Sequence, residues 1–555
     1  MNKYTINVED RNYLNYTVVN VDNSKKEVSF KNPEKNKLFN HDLFVIDQDN
    51  ISIIHSKIRN SLHCGVLILS KDKTYGIKND KKLYKCIPND KKIPIFLIAF
   101  KIKKLDFNKN VENRFVLFKF KDWESKHPHG ELVNNIGEIS NIDSFYEYKL
   151  LTKNLNISLQ HFQKQILKKI KNEDKMISDI IEKNNLQDRR SLNIFSIDNL
   201  TTTDYDDAIG IQDLDENKYI ISIYISNVNL WIEYLDIWND ITDKTTSIYL
   251  SDKKRPMLPS ILSENLCSLV KNETRFAFTL DLVIYNDIII DTIFNNTIVN
   301  LHENYRYEEK ILKKNKDYSK IFKIVKKLSE KGDILSIENS HDVISYLMIT
   351  MNYYSSLILS KNKEGIFRKF KINKDNLKEV PKEIENFVKI WNSESSSYVD
   401  FNNKDGHDIL KLDSYVHITS PIRRIVDLVN IYKIQIVLGL FKENNDNLGF
   451  YNKWIKNLDY INSSMKSVKK IQNQCNLIDI LGKENDMIQE KFKGFIIDKQ
   501  KQNEIFVYDV YIPEFKLVSK VKTIEEKTNF SKHYFRILLF EKEDTFEKKI
   551  KLQLF

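Results

Sequence analysis

Residues 196–210 read SIDNLTTTDYDDAIG, and Asp198, Asp204, Asp206 and Asp207 crowd into this one short stretch. Like charges this close repel, so such a segment needs either a counter-charge or a purpose. The run fits a surface turn in which Asp side chains bond nearby backbone groups. It fails as an EF-hand loop starting at Asp204, because the sixth and twelfth places hold Ile209 and Asp215 rather than Gly and Glu. Asp204 and Asp206 also match the DxD pattern of nucleotide-sugar enzymes, a motif short enough to arise by chance. The functional reading is a divalent-metal site. Carboxylates two apart on an extended segment point to the same side, and Asp198 meets them if the chain turns through 199–203. Hard oxygen donors suit Mg²⁺ or Mn²⁺. Two such ions about 4 Å apart stabilise both the attacking and the leaving oxygen of an in-line phosphoryl displacement. On this stretch alone, turn and metal site both stay open.

The rest of the chain bounds the choice. At 555 residues it exceeds one hydrophobic core, and several domains are expected. Hydrophobic residues at 41% and aromatics at 11% exclude a disordered chain. The net charge of +10, from 87 basic and 77 acidic residues, only tilts the balance toward a polyanionic partner. Alanine occurs only at positions 99, 208 and 277, while Lys, Asn and Ile abound, the mark of an AT-rich genome. Cys64, Cys86, Cys267 and Cys475 are widely separated, without the CxxC pairs of a zinc framework or the density of a disulfide scaffold. The start of the chain lacks a signal-peptide apolar core, and the apolar run Ile93–Phe100 is too short to cross a bilayer. A soluble cytoplasmic protein with no membrane partner is expected.

Short alternating runs such as YTVVNV (16–21), DLFVID (42–47), GVLILS (65–70) and FVLFKF (115–120) predict small antiparallel barrels in the first part of the chain. Apolar positions Leu159, Phe162, Ile166, Leu167 and Ile170 predict helix within 157–184. Strands are expected at 219–228 and 275–285, and helices at 308–330, 340–360 and 422–440. The final segment returns to strand patterns, including NEIFVYDVYIP (503–513) and FRILLFE (535–541).

Two further segments give the acidic run its context: SIYLSDKKRPMLPSILSENLCSL (247–269) and YVHITSPIRRIVD (415–427). With DRRSLNIFSIDNLTTTDYDDAIG (188–210), they resemble the RNB catalytic domain of the RNase II/RNase R exoribonuclease family, in family order. KNETRFAFTLDL (271–282), YLMITMNYY (346–354) and GIFRKF (365–370) agree. RFVLFKFKDWESKHPHGELVNNIGEI (114–139) is similar to the second cold-shock-like barrel of the exosome-type, Dis3-like branch, and the layout is nearest the members lacking a PIN domain.

The resemblance implies an α+β catalytic RNB domain flanked by small all-β OB-fold barrels. These are expected as two cold-shock-like barrels at 1–88 and 89–160, the RNB domain at 161–489 and an S1-like barrel at 490–555. It implies a metal-dependent 3′–5′ exoribonuclease that processively hydrolyses single-stranded RNA with a free 3′ end to nucleoside 5′-monophosphates, using a two-ion Mg²⁺ or Mn²⁺ site. Asp198, Asp204, Asp206 and Asp207 match the catalytic, metal-holding aspartates. Tyr249 matches the tyrosine that packs on the last nucleotide, and Arg423 the arginine that holds the phosphate near the reaction. Arg424 is a further candidate phosphate contact, with a surface role as the alternative, while His417 reads as a packing or hydrogen-bonding histidine. A monomer is expected, with exosome-type partners left open. The alternative is a catalytically silent RNA-binding protein that kept the fold. Departures from the family pattern include Tyr224, Ser226 and Asn227 in YISNV (224–228), Thr245, Met351 and Ile425.

Overall fold

The segment Thr274–Tyr285 is buried along nearly its whole length, which follows from its place inside a seven-stranded sheet. This computed structural model describes residues 2–22, 27–47, 50–70, 73–102, 111–332, 335–372, 380–393, 396–483, 490–543 and 545–555. The sheet runs, edge to edge, Gln187–Asp188, Ile288–Asn300, Thr274–Tyr285, Lys218–Ser226, Asp207–Asp215, Ile194–Asp198 and Glu303–Arg306. Because strand side chains alternate, Phe278, Leu280, Leu282 and Ile284 share one face. There they join Ile221, Ile223 and Ile225 against the helices Lys316–Gly332 and Ser340–Lys361. The other face of the strand carries Ala277, Thr279 and Asp281. Arg189 meets Asp281 in a buried two-point ion pair at 2.6 and 2.5 Å, and Ser222 Oγ also donates to that carboxylate.

The expected helices form with adjusted ends. The 157–184 pattern divides into Gln160–Lys169 and Glu173–Lys183, because Ile170 is extended and Asn172 caps the second helix through the Lys175 N–H. The 422–440 pattern forms Ile425–Val437, buried along most of its length. Ser340–Lys361 is long and apolar enough to cross a membrane by length and composition. Val343, Leu347, Met351 and Leu359 nevertheless place it in the core, behind an Asn339–Asp342 capping box.

The chain divides into two compact units. The one just described comprises Ile157–Tyr249 and Lys253–Gln472. The other comprises Met1–Asn156, Leu250–Asp252 and Asn473–Phe555, and is dominated by three small sheets. The first sheet is a five-stranded antiparallel one between Lys3 and His55. In the second, Leu62–Leu67, Lys81–Pro88, Phe96–Phe100, His129–Glu138 and Arg114–Asp122 pair in a ring, with one parallel pairing. That is a closed OB-type barrel. Its strands Lys81–Pro88 and Phe96–Phe100 are hydrogen-bonded to each other, so the 88/89 boundary expected from sequence falls inside one sheet. The third sheet, Phe492–Leu554, has five antiparallel strands around Phe492, Tyr508, Val510 and Ile537. The expected boundary at 489/490 touches residues outside those described.

Candidate active site

A hairpin positions the acidic segment. Ile194–Asp198 pairs with Asp207–Asp215 through Ile194↔Gly210 and Phe195↔Ile209, so Asp198 and Asp207 stand at the two ends of its loop. Glycine permits the close approach: a Cβ at 210 would lie 3.2 Å from the Asn193 carbonyl oxygen. Within the loop, the Thr202 N–H donates to the Asn199 carbonyl. The Tyr205 N–H donates to Ser268 Oγ, and the Ser226 N–H donates to the Asp206 carbonyl.

The 415–427 segment closes on this hairpin. The Ile422 N–H donates to Asp206 Oδ1 at 3.0 Å, and Arg423 Nε donates to Oδ2 at 3.0 Å. Arg423 Nη2 donates to Ser420 Oγ, which fixes the plane of the guanidinium. The Ser247 N–H donates to the Arg423 carbonyl and the Ile425 N–H to the Thr245 carbonyl, tying the second motif to the third. The second motif then turns back as a two-stranded pair in which Tyr249 faces Lys254. The Tyr249 hydroxyl donates to Asp204 Oδ2 at 3.2 Å, and Lys254 Nζ lies 3.1 Å from Asp204 Oδ1. Asp206 therefore meets Arg423, Asp204 meets Tyr249, and Asp198 and Asp207 bound the same loop.

Arg424 points elsewhere. It donates to the fully buried Asp427 at 2.8 Å, and Asp427 also accepts from the Ser420 N–H. Its charge is engaged in holding the SPIRR turn onto the helix Ile425–Val437. His417 lies beside it, with Nδ1 2.7 Å from the Tyr398 hydroxyl. Burial, and then Arg424 and Arg368, push its pKa well below the usual histidine value. The ring thus takes a hydrogen-bonded place beside Tyr398.

The electrostatics separate the four carboxylates. Burial raises Asp206 to about 7 even though Arg423 and the Ile422 N–H oppose the shift. Burial also raises Asp198 to about 6, against a Ser196 hydrogen bond and the charge of Arg423. Asp207 is pushed well up by burial and by the neighbouring Asp198 and Asp206. Asp206 has Arg423 and Asp204 has Lys254 as ion-pair partners. Among the described residues Asp198 and Asp207 have none, and Asp198 Oδ2 is buried without a hydrogen-bond partner.

Two neighbours were not singled out from sequence. Lys254 lies within the second motif, but nothing in its spacing indicates a contact with Asp204. Tyr307 donates its N–H to the Asp198 carbonyl and stacks on His341, and it carried no sequence signal.

The donor set fits a divalent cation: hard carboxylate oxygens, two of them on groups lacking a counter-charge, with one buried orphan oxygen. As the side chains stand, no three His, Cys, Asp or Glu groups are gathered to hold a metal ion among the described residues. Arg423 holds Asp206 and Lys254 holds Asp204.

The model of the RNB domain matches residues 186–338, and that of the Dis3-like cold-shock domain 2 (CSD2) matches 83–153. The chain is similar to the human exosome complex exonuclease RRP44, 29% identical over 255 residues, covering 44% of this chain and 25% of the relative. It is 31% identical over 207 residues to the DIS3-like exonuclease 2 of Schizosaccharomyces pombe, covering 35% of this chain and 22% of the relative. These matches span about a quarter of the relatives' length. Among solved structures, the fold is that of Mycoplasma genitalium RNase R in complex with ribose methylated single-stranded RNA. That likeness has a TM-score of 0.67 over 100% of both chains at 14% identity. Yeast Ssd1, described as a pseudonuclease, shares the fold at a TM-score of 0.61 and 14% identity, over 94% of this chain and 78% of Ssd1.

Proposed function

Because the chain belongs to the RNB-domain family and carries its Dis3-like second cold-shock domain, we propose that it hydrolyses single-stranded RNA processively from a free 3′ end, releasing nucleoside 5′-monophosphates. One observation carries the proposal: Asp206 is gripped by the Ile422 N–H and Arg423 while Tyr249 reaches Asp204, so three distant motifs meet at one group of carboxylates. Asp198, Asp204, Asp206 and Asp207 are the residues to hold Mg²⁺ or Mn²⁺, which when bound supplies Lewis acidity and lowers the pKa of a coordinated water.

The chain's own residues supply position. Arg423 is half-exposed while anchored at Asp206 and Ser420, so its remaining N–H groups can meet phosphate oxygens. The exposed part of the Tyr249 ring can stack on a terminal base of any identity. The OB-type barrels suit single strands, which stack on aromatic side chains along a basic groove.

The test is release of mononucleotides from a 3′-tailed RNA with Mg²⁺ or Mn²⁺, beside the Asp206→Asn variant. Wild type should release them, and the variant should bind RNA without release. RNA binding by wild type with no mononucleotide in either metal would favour the catalytically silent alternative, the condition named for Ssd1.

A further inference from the structure

Asp204 is held differently from Asp206. Asp206 is fixed by a backbone N–H and by an arginine that is itself anchored to Ser420. Among the described residues Asp204 is held by two side chains, Tyr249 and Lys254. The Lys254 ammonium also lies 2.7 Å from Glu264 Oε1 and donates to Thr203 Oγ1 at 2.8 Å. Thr203 Oγ1 in turn donates to the same Glu264 oxygen at 3.2 Å.

An ammonium has three N–H donors, and these three acceptors use them all. Its contact to Asp204, at 3.1 Å, is the longest of the three. Leaving Asp204 would thus break one contact and keep two. The side chain of Glu264 is 38% exposed against 7% for Asp204, so the alternative seat lies toward solvent, where a charged group is better hydrated. A lysine suits such a movement, being a point charge on a flexible stem, whereas the Arg423 fork is pinned at both ends.

We propose that Lys254 is a movable counter-ion. It neutralises Asp204 while no divalent cation is bound, and it withdraws onto Glu264 and Thr203 when one is. An ammonium and a divalent cation cannot share Asp204 Oδ1 in a buried setting without strong repulsion, so one must yield. Lys254 is a positioning residue in this scheme. The scheme rests on the metal-dependent reading above for what displaces it.

Direct Mn²⁺ binding, followed by the electron paramagnetic resonance signal of the free ion without RNA, tests this. Lys254→Met should tighten the dissociation constant about fivefold, because the competing charge is gone. Glu264→Gln should weaken it about threefold, because the ammonium loses its second seat. The double variant should match Lys254→Met, since Glu264 acts only through the lysine. Lys254→Arg keeps the charge in a form that holds Asp204 bidentately and should weaken binding, which keeps the test decisive if Lys254→Met does not fold. An unchanged or weaker constant in Lys254→Met overturns the proposal. So does a double variant in which both single effects simply add, because Glu264 would then act through its own charge. Either result leaves the metal-dependent reading standing, whereas absence of Mn²⁺ binding in wild type overturns both.

Discussion

Arg423 Nε donates to Asp206 Oδ2 at 3.0 Å, joining residues 217 positions apart in the chain. The same guanidinium bonds Ser420, so Arg423 offsets a buried carboxylate while its own plane is fixed.

Arg423→Lys should therefore be far from conservative. Lysine can reach one acceptor but cannot hold Asp206 and Ser420 while also offering a planar fork to phosphate. Single-turnover nucleotide release should fall by about 10²-fold, with the thermal midpoint little changed. A rate within a factor of about three of wild type would show that charge alone suffices.

Tyr249 is 38% exposed and has two separable parts, its ring and a hydroxyl donating to Asp204. Tyr249→Phe should keep affinity for a short single-stranded RNA. Tyr249→Ala should weaken it by about 10- to 100-fold, the usual worth of one base stacked on an aromatic ring. Fluorescence anisotropy with a labelled oligonucleotide and Ca²⁺ in place of Mg²⁺ separates the two.

The Arg189–Asp281 pair has both side chains under a tenth exposed, and Asp281 also accepts from Ser222 in the strand next to Asp207–Asp215. Asp281→Ala should destabilise the RNB-containing unit by about 3–5 kcal/mol, because it strands a buried guanidinium. Replacing both partners by apolar residues of similar size should cost less than Asp281→Ala alone. Urea unfolding of the single and double variants checks the order.

Glu547 links the last sheet to Lys149 in the helix Ile142–Leu151 and to Lys542. Burial would raise its pKa, but hydrogen bonds from the two lysines outweigh burial and hold it at about 2. A depressed carboxyl contributes stability that is fully present above its unfolded value of about 4.5 and is lost as pH falls through about 2. Glu547→Gln should thus lower the thermal midpoint at pH 7, and the gap from wild type should shrink steadily below pH 4.5. A gap independent of pH would assign the effect to packing.

Much of this protein is legible in its residues. The strand expected at 275–285 and the helix expected at 422–440 form as Thr274–Tyr285 and Ile425–Val437, because period-two and three-to-four apolar spacing are written in the sequence itself. The grouping of Asp198, Asp204, Asp206 and Asp207 was visible because a hairpin keeps sequence neighbours near in space. Tyr249 and Arg423 were assigned through the resemblance of their whole motifs.

What only the tertiary structure decided is which charge meets which. Arg423 and Arg424 are adjacent in sequence, yet Arg423 holds Asp206 while Arg424 turns in to Asp427 where the helix begins. Lys254 reaches Asp204 through a cross-strand pairing with Tyr249, and the 88/89 boundary falls within a barrel that closes through non-neighbouring strands. Local periodicity sets elements because it acts over a few bonds. Ion pairs and barrel closure depend on contacts between segments far apart in the chain, and their partners are chosen only when the chain packs.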